Sequence, residues 1–205
     1  MFVGIDVGAE RLHCVALDRA LRLTEATVFA ASELDRLAEW ASSASVAAVD
    51  APAELSAAPH ERDPGLSPKF ARARCAEIAL GRQHGLWVPF VTPCAGEPVA
   101  AWMQTGLAVH ESLRQTSAEV IEVFPYAGYR RLVAPEKLAR KAGLDGARQR
   151  VAALDSAGVR EPRLSMWSHD GLDALLAALV AQRRAEGTAL EVTCGHDGSS
   201  IWLPQ

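Results

Sequence analysis

The chain has 205 residues, is 49% hydrophobic and carries a formal net charge of −4. That length suits one generous domain with a real core, and the acidic balance excludes a globally basic nucleic-acid binder, so any phosphate contact must come from a local surface. No uninterrupted apolar run approaches the ~20 residues of a membrane-spanning helix, which leaves no membrane partner in view.

The apolar start at residues 2–5 lacks a basic flank and is broken by Asp6, so no signal peptide and a cytoplasmic location are expected. The four cysteines, Cys14, Cys75, Cys94 and Cys194, form no CxxC pair. Free thiols in a reducing compartment are the simplest reading, with neither a zinc knuckle nor a redox motif suggested.

Residues 2–7, FVGIDV, read as a first strand; residues 12–17 and 23–29 follow as a second and third, giving an antiparallel start. Ser32 reads as the N-cap of an amphipathic helix with Leu34, Leu37, Ala38 and Ala41 on one face. Residues 46–49 form a short buried strand that stops at Asp50, because Pro52 prevents its continuation. Residues 53–67 read as a loop. Ser67-Pro68 predicts a helix start, with Gly85 as the stop after His84. Residues 87–92 read as a short extended piece, 98–115 as a second helical stretch, and 120–124 as a strand ended by Pro125. From 126 to 163 the chain reads as helical and exposed, with nine Lys or Arg against four Asp or Glu. Ser168 or His169 opens a long helix to about Glu186, apolar nearly all round and so packed on the sheet. Residues 190–193 and 200–203 close the chain as two strands around a turn. The whole is an α/β chain of one domain, residues 1–205, with a helical insertion at about 53–118 and a basic helical segment at about 126–163.

Five carboxylates stand at strand ends or at a helix start: Asp6, Asp50, Glu122, Asp170 and Asp173. A buried charge without a partner costs several kcal/mol, and FVGIDVG, AAVDAP and VIEVFP hold no Lys or Arg to supply one. Several such groups together call for a cation, and hard Mg²⁺ or Mn²⁺ takes oxygen ligands. Each residue also has a structural reading. Asp50-Ala-Pro is a strand-to-turn device, Asp170 is a first-turn residue favoured by the helix dipole, and Glu122 could pair with Arg72 or Arg130. Asp6, interrupting a buried strand, is the hardest to read as structural.

GIDVG at 4–8, AAVDAP at 47–52, RARCAE at 72–77, VIEVFP at 120–125 and SHDGLDALLAALVA at 168–181 resemble, in order, the prokaryotic DUF429 family. Its members are labelled predicted nucleases of the ribonuclease H-like fold. The closing GHDGSSIWLP resembles that family's C-terminal strand. The resemblance implies a ribonuclease H-like mixed five-stranded sheet, the first three strands antiparallel, with helices on both faces. It also implies that Asp6, Asp50, Glu122, Asp170 and Asp173 lie near the active centre.

Beside these, Arg72 is the expected phosphate or carboxylate partner of the site, and His169 could shuttle a proton or place a water; both also read as ordinary helix residues. His60 to Asp63, HERD, lies in a loop. Trp87, Trp102 and Trp167 could stack bases but read better as packing. Cys75 reads as a small buried hydrophobe. The leading expectation is a metal-dependent nuclease or phosphodiesterase acting on a nucleic acid or a phosphorylated small molecule, with Arg130, Arg131, Lys137, Arg140 and Lys141 as the backbone-contacting surface. The alternative is a non-catalytic binding or regulatory module of the same fold. A sugar- or nucleotide-phosphotransferase fits less well, since the chain lacks a second phosphate loop.

Overall fold

The computed structural model describes residues 1–134 and 136–205. Three strands, β1 (Phe2–Val7), β2 (Arg11–Leu17) and β3 (Leu23–Ala30), pair antiparallel in sequence order. On the other edge of β1, β4 (Val46–Asp50) and then β5 (Glu119–Glu122) add in parallel. The resulting open sheet has the order β3-β2-β1-β4-β5. A parallel return needs a crossover, and α1 (Leu34–Ala41) supplies the one from β3 to β4. The longer excursion from β4 to β5 contains α2 (Cys75–His84) and α3 (Ala101–Arg114). Then follow α4 (Pro125–Leu132), α5 (Leu144–Ser156), α6 (His169–Ala185) and the separate antiparallel pair β6 (Ala189–Val192) and β7 (Ile201–Pro204).

β1 is central and buried along its length, and its alternation assigns residues to layers. Val3, Ile5 and Val7 pack with Leu37, Val109 and Leu113 of α1 and α3. Phe2 and Gly4 face α6, and by the same alternation so does Asp6. In β4, Ala47 and Val49 join the α1/α3 layer while Val46 and Ala48 join α6, which puts Asp50 on the α6 side next to Asp6. Residues Gly171 through Gln182 of α6 are all buried.

Gly4 permits that contact. A Cβ at this position would sit 2.0 Å from the Ala174 carbonyl oxygen and 2.2 Å from the Ala178 nitrogen, both rigid helix backbone. Gly4→Ala is therefore expected to lift α6 off β1, at a cost of ~1–3 kcal/mol or more, the usual range for overpacking. A denaturant melt checks this; an unchanged midpoint would contradict it.

Several sequence expectations need correction. α2 begins at Cys75 rather than at Pro68, because Arg74 is buried in an ion-pair network that fixes an extended N-cap there. The N-cap of α1 is Glu33, not Ser32. Residues 87–92 form no strand. The stretch 126–163 is not simply exposed: Tyr129, Ala153 and Leu154 pack beneath α6, and Arg150 is buried with its guanidinium donating to the Gly146 carbonyl at 2.9 Å. Pro135, within that stretch, lies outside the described residues. Cys75 and Cys194 are joined in a disulfide across 119 residues, whereas Cys14 and Cys94 are free and buried. Sequence distance hid that pairing, since chain reversal brings the start of α2 against the β6–β7 turn. Among the described residues no helix is long and apolar enough to cross a membrane.

Candidate functional site

The C-terminal ends of β1 and β4 and the first turns of α6 meet at the floor of a cleft of about 730 Å³. Asp6 and Asp50 are register partners on neighbouring parallel strands, so alternation points both carboxylates to the same face. Ser168 caps α6 by accepting the Gly171 N–H at 3.1 Å, and one turn later Asp173 faces the strand ends. Asp6, Asp50 and Asp173 each offer an oxygen, and these atoms lie within 4.8 Å of one another.

The electrostatics follow from crowding in a dry place. Burial and then the neighbouring Asp173 push the Asp6 carboxyl up to about 7, with Asp170 adding to the effect and Lys141 opposing it. Burial, Asp6 and Asp173 raise Asp50 well above the usual carboxylate range. Asp173 is also raised, because burial outweighs its ion pair. Lys141 comes in from the loop before α5, its Nζ 2.6 Å from Asp173 and 3.3 Å from Asp170. Burial pulls Lys141 down, but the three aspartates around it win and hold it charged.

The sign of the pH dependence follows. A carboxyl whose folded pKa is raised favours the folded state while protonated, and that contribution is lost as pH rises through the folded value. The metal-free protein is therefore expected to lose stability between pH ~4 and ~7. Asp6→Asn should flatten that slope. Thermal melts across the range in chelator provide the check; stability rising over this interval would contradict it.

The other residues singled out in sequence fall in different places. Asp170 is half exposed at the cleft mouth, 3.8 Å from His13 Nε2 and paired with Lys141. Glu122 reaches the cleft from the other side of the sheet: Ile121 and Val123 of VIEVFP pack in the α6 layer, so Glu122 points toward α3. There it is gripped by Arg74, whose Nη2 and Nη1 lie 2.6 and 2.7 Å from its two oxygens, and it accepts the Ala53 N–H at 2.8 Å. Its partner is thus neither Arg72 nor Arg130. Arg72 is turned outward and paired with Glu97, so it does not line the cleft. His169 does not line it either, and its Nδ1 is buried with no hydrogen-bond partner among the described residues. Arg130 and Arg131 also lie away from the cleft, and Arg131 Nε donates to the Pro204 carbonyl at 2.9 Å.

Sequence reasoning missed four contributors. His13 lines the cleft as the antiparallel partner of Asp6. Lys141 was assigned to an open basic surface. Arg74 and Glu77 line the cleft as well, and RARCAE holds that arginine three positions before the glutamate at a helix start. Of the tryptophans, Trp102 lines the cleft opposite Phe90, with ring centroids 6.5 Å apart. Trp87 packs on Phe70, and Trp167 sits at the edge of the α5–α6 cluster.

The donor set suits a hard divalent cation. Three oxygen donors come from three rigid elements, and the cations that act on them are Lys141 and, at Asp173, also Arg150. Lys141 is half exposed on a loop, so it can withdraw from the carboxylates without disturbing the sheet.

A family model described as a protein of unknown function (DUF429) matches residues 4–197. No curated protein and no solved structure matches the chain.

Proposed function

The chain belongs to the DUF429 family, and from that premise we propose that it is a divalent-metal-dependent phosphodiesterase or nuclease of ribonuclease H-like fold. The observation that carries the reading is the convergence of Asp6, Asp50 and Asp173 within 4.8 Å of one another, with Asp6 and Asp50 lining an open cleft. The sheet order, three antiparallel strands followed by two parallel ones on the far side of β1, supports the fold part.

Asp6, Asp50 and Asp173 would hold Mg²⁺ or Mn²⁺. Bound there, the ion would supply Lewis acidity toward a phosphoryl oxygen and make a water more acidic. The remaining work falls to the chain's own groups. Lys141, freed from Asp173, is placed to meet phosphate charge at the cleft mouth. His13, which lines the cleft 3.8 Å from Asp170, would be the group to give a proton to a departing oxygen. Phe90, 67% exposed, and Trp102, set edge to face, offer aromatic surface against which a base or another ring could pack.

The test is hydrolysis of a nitrophenyl phosphodiester and of single-stranded, duplex and branched nucleic acids in Mn²⁺, with Phe90→Ala as a variant. Phe90→Ala should raise KM with kcat little changed if that surface binds substrate. An equal kcat/KM on all substrates tested would count against that role. One observation favours the second reading, a non-catalytic module: Lys141 already neutralises part of the cluster without a metal. A protein that binds Mn²⁺ yet cleaves none of these substrates would select it.

A further inference from the structure

We propose that His60, Cys75, Cys194 and His196 form a zinc site in the reduced chain, separate from the acidic cleft. One nitrogen or sulfur from each of the four lies within 4.8 Å of all the others. A tetrahedral zinc site with bonds of ~2.0–2.3 Å needs its ligand atoms ~3.3–3.8 Å apart, so small side-chain adjustments suffice. His60 Nε2 stands 3.1 Å from Cys194 Sγ and 3.4 Å from Cys75 Sγ, and His196 Nδ1 is 3.9 Å from Cys194 Sγ. The two imidazoles lie with centroids 5.0 Å apart and their planes tilted by 49°.

A disulfide alone accounts for none of this histidine placement. Its sulfurs are neutral and weak acceptors, and a cross-link needs no imidazole. Two thiolates and two neutral imidazoles, by contrast, are the donor set that selects zinc over hard ions. The surroundings also suit thiolates. The His196 backbone N–H donates to Cys75 Sγ at 3.3 Å. Asp197 accepts the Cys75 N–H at 3.0 Å and bonds Ser199, which fixes the turn that carries Cys194 and His196. The site ties three segments together: the 53–74 loop through His60, the start of α2 through Cys75, and the β6–β7 turn.

The disulfide and the metal site are alternative states of the same residues. Reduction by a dithiol delivers two electrons and two protons to the Cys75–Cys194 bond, and the dithiol leaves as its own disulfide. Zinc then displaces the two thiol protons as it binds. The oxidised chain holds no metal at this position.

The experiment is an anaerobic titration of the reduced, chelator-treated full chain with Co²⁺ and then Zn²⁺. One equivalent of Co²⁺ should give intense visible bands of tetrahedral cobalt and near-ultraviolet thiolate-to-cobalt charge transfer, both abolished by one equivalent of Zn²⁺. Carboxylate oxygens cannot give that charge transfer, so Asp6→Asn should leave it intact and the acidic centre is judged separately. His196→Ala, at an exposed turn position, should weaken Co²⁺ binding by more than the ~10–100-fold that loss of an outer-shell partner costs. Cys194→Ser should remove the signal of a two-thiolate site. The proposal is overturned if the reduced wild type, with all four thiols countable by a thiol reagent, shows no charge transfer. It is equally overturned if His196→Ala binds Co²⁺ as tightly as wild type.

Discussion

Asp6→Asn is expected to abolish any Mn²⁺- or Mg²⁺-dependent hydrolysis while leaving the metal-free protein as stable as wild type or more so at pH 8. Both halves come from the same geometry. Asp6 sits among Asp50, Asp173 and Asp170, and burial with this crowding pushes its carboxyl up to about 7. Ionising it at pH 8 costs folding free energy that the amide does not have to spend. The same charge is what a divalent ion would meet, so wild type should gain stability from Mn²⁺ by mass action, ~2.7 kcal/mol at a hundredfold excess over Kd. The variant should gain less and lose turnover by orders of magnitude, since the ion would be misplaced or absent. Paired melts with and without Mn²⁺, beside the hydrolysis assay, read both. Equal metal-induced shifts in the two proteins would remove Asp6 from the ligand set.

Much of the scaffold was legible because it rests on local signals. FVGIDV, the β-branched runs after it, Ser168 before HDGLDALLAALVA and Gly85 after His84 each announce an element by periodicity or by a cap. Asp6 and Asp50 were legible as carboxylates of buried strands with no Lys or Arg beside them, but their register pairing was not. What escaped depends on register and on distant chain reversals. The side of the sheet that Glu122 occupies follows from Ile121 and Val123 only once their layer is known. Lys141 reads as one cation in a basic stretch until a loop delivers it to Asp173, 32 positions on. Arg74 looks like a helix residue until its three-dimensional neighbours are two glutamates, and no short spacing links His60 and Cys75 to Cys194 and His196.

The second large effect is expected at Arg74, and it is on stability first. Its side chain is 2% exposed, bidentate to Glu122 and 3.5 Å from Glu77. Glu77 is itself buried, accepting the Arg74 N–H at 3.1 Å and both the amide and hydroxyl of Thr92. One guanidinium thus answers two buried carboxylates and joins α2 to the end of β5. Replacing a buried pair by apolar residues of similar volume is often neutral, but removing one partner leaves a charge with nothing to meet it. Arg74→Met leaves two such carboxylates and should cost at least ~3–5 kcal/mol at neutral pH. Arg74→Met with Glu122→Gln should recover part of the loss at pH 8, because only Glu77 is then left unpaired. Denaturant melts of the three proteins at pH 8 decide it. A single variant with wild-type stability at pH 8, or a double variant weaker than the single, would mean that the Arg74–Glu122 pair does not hold α2 against the sheet.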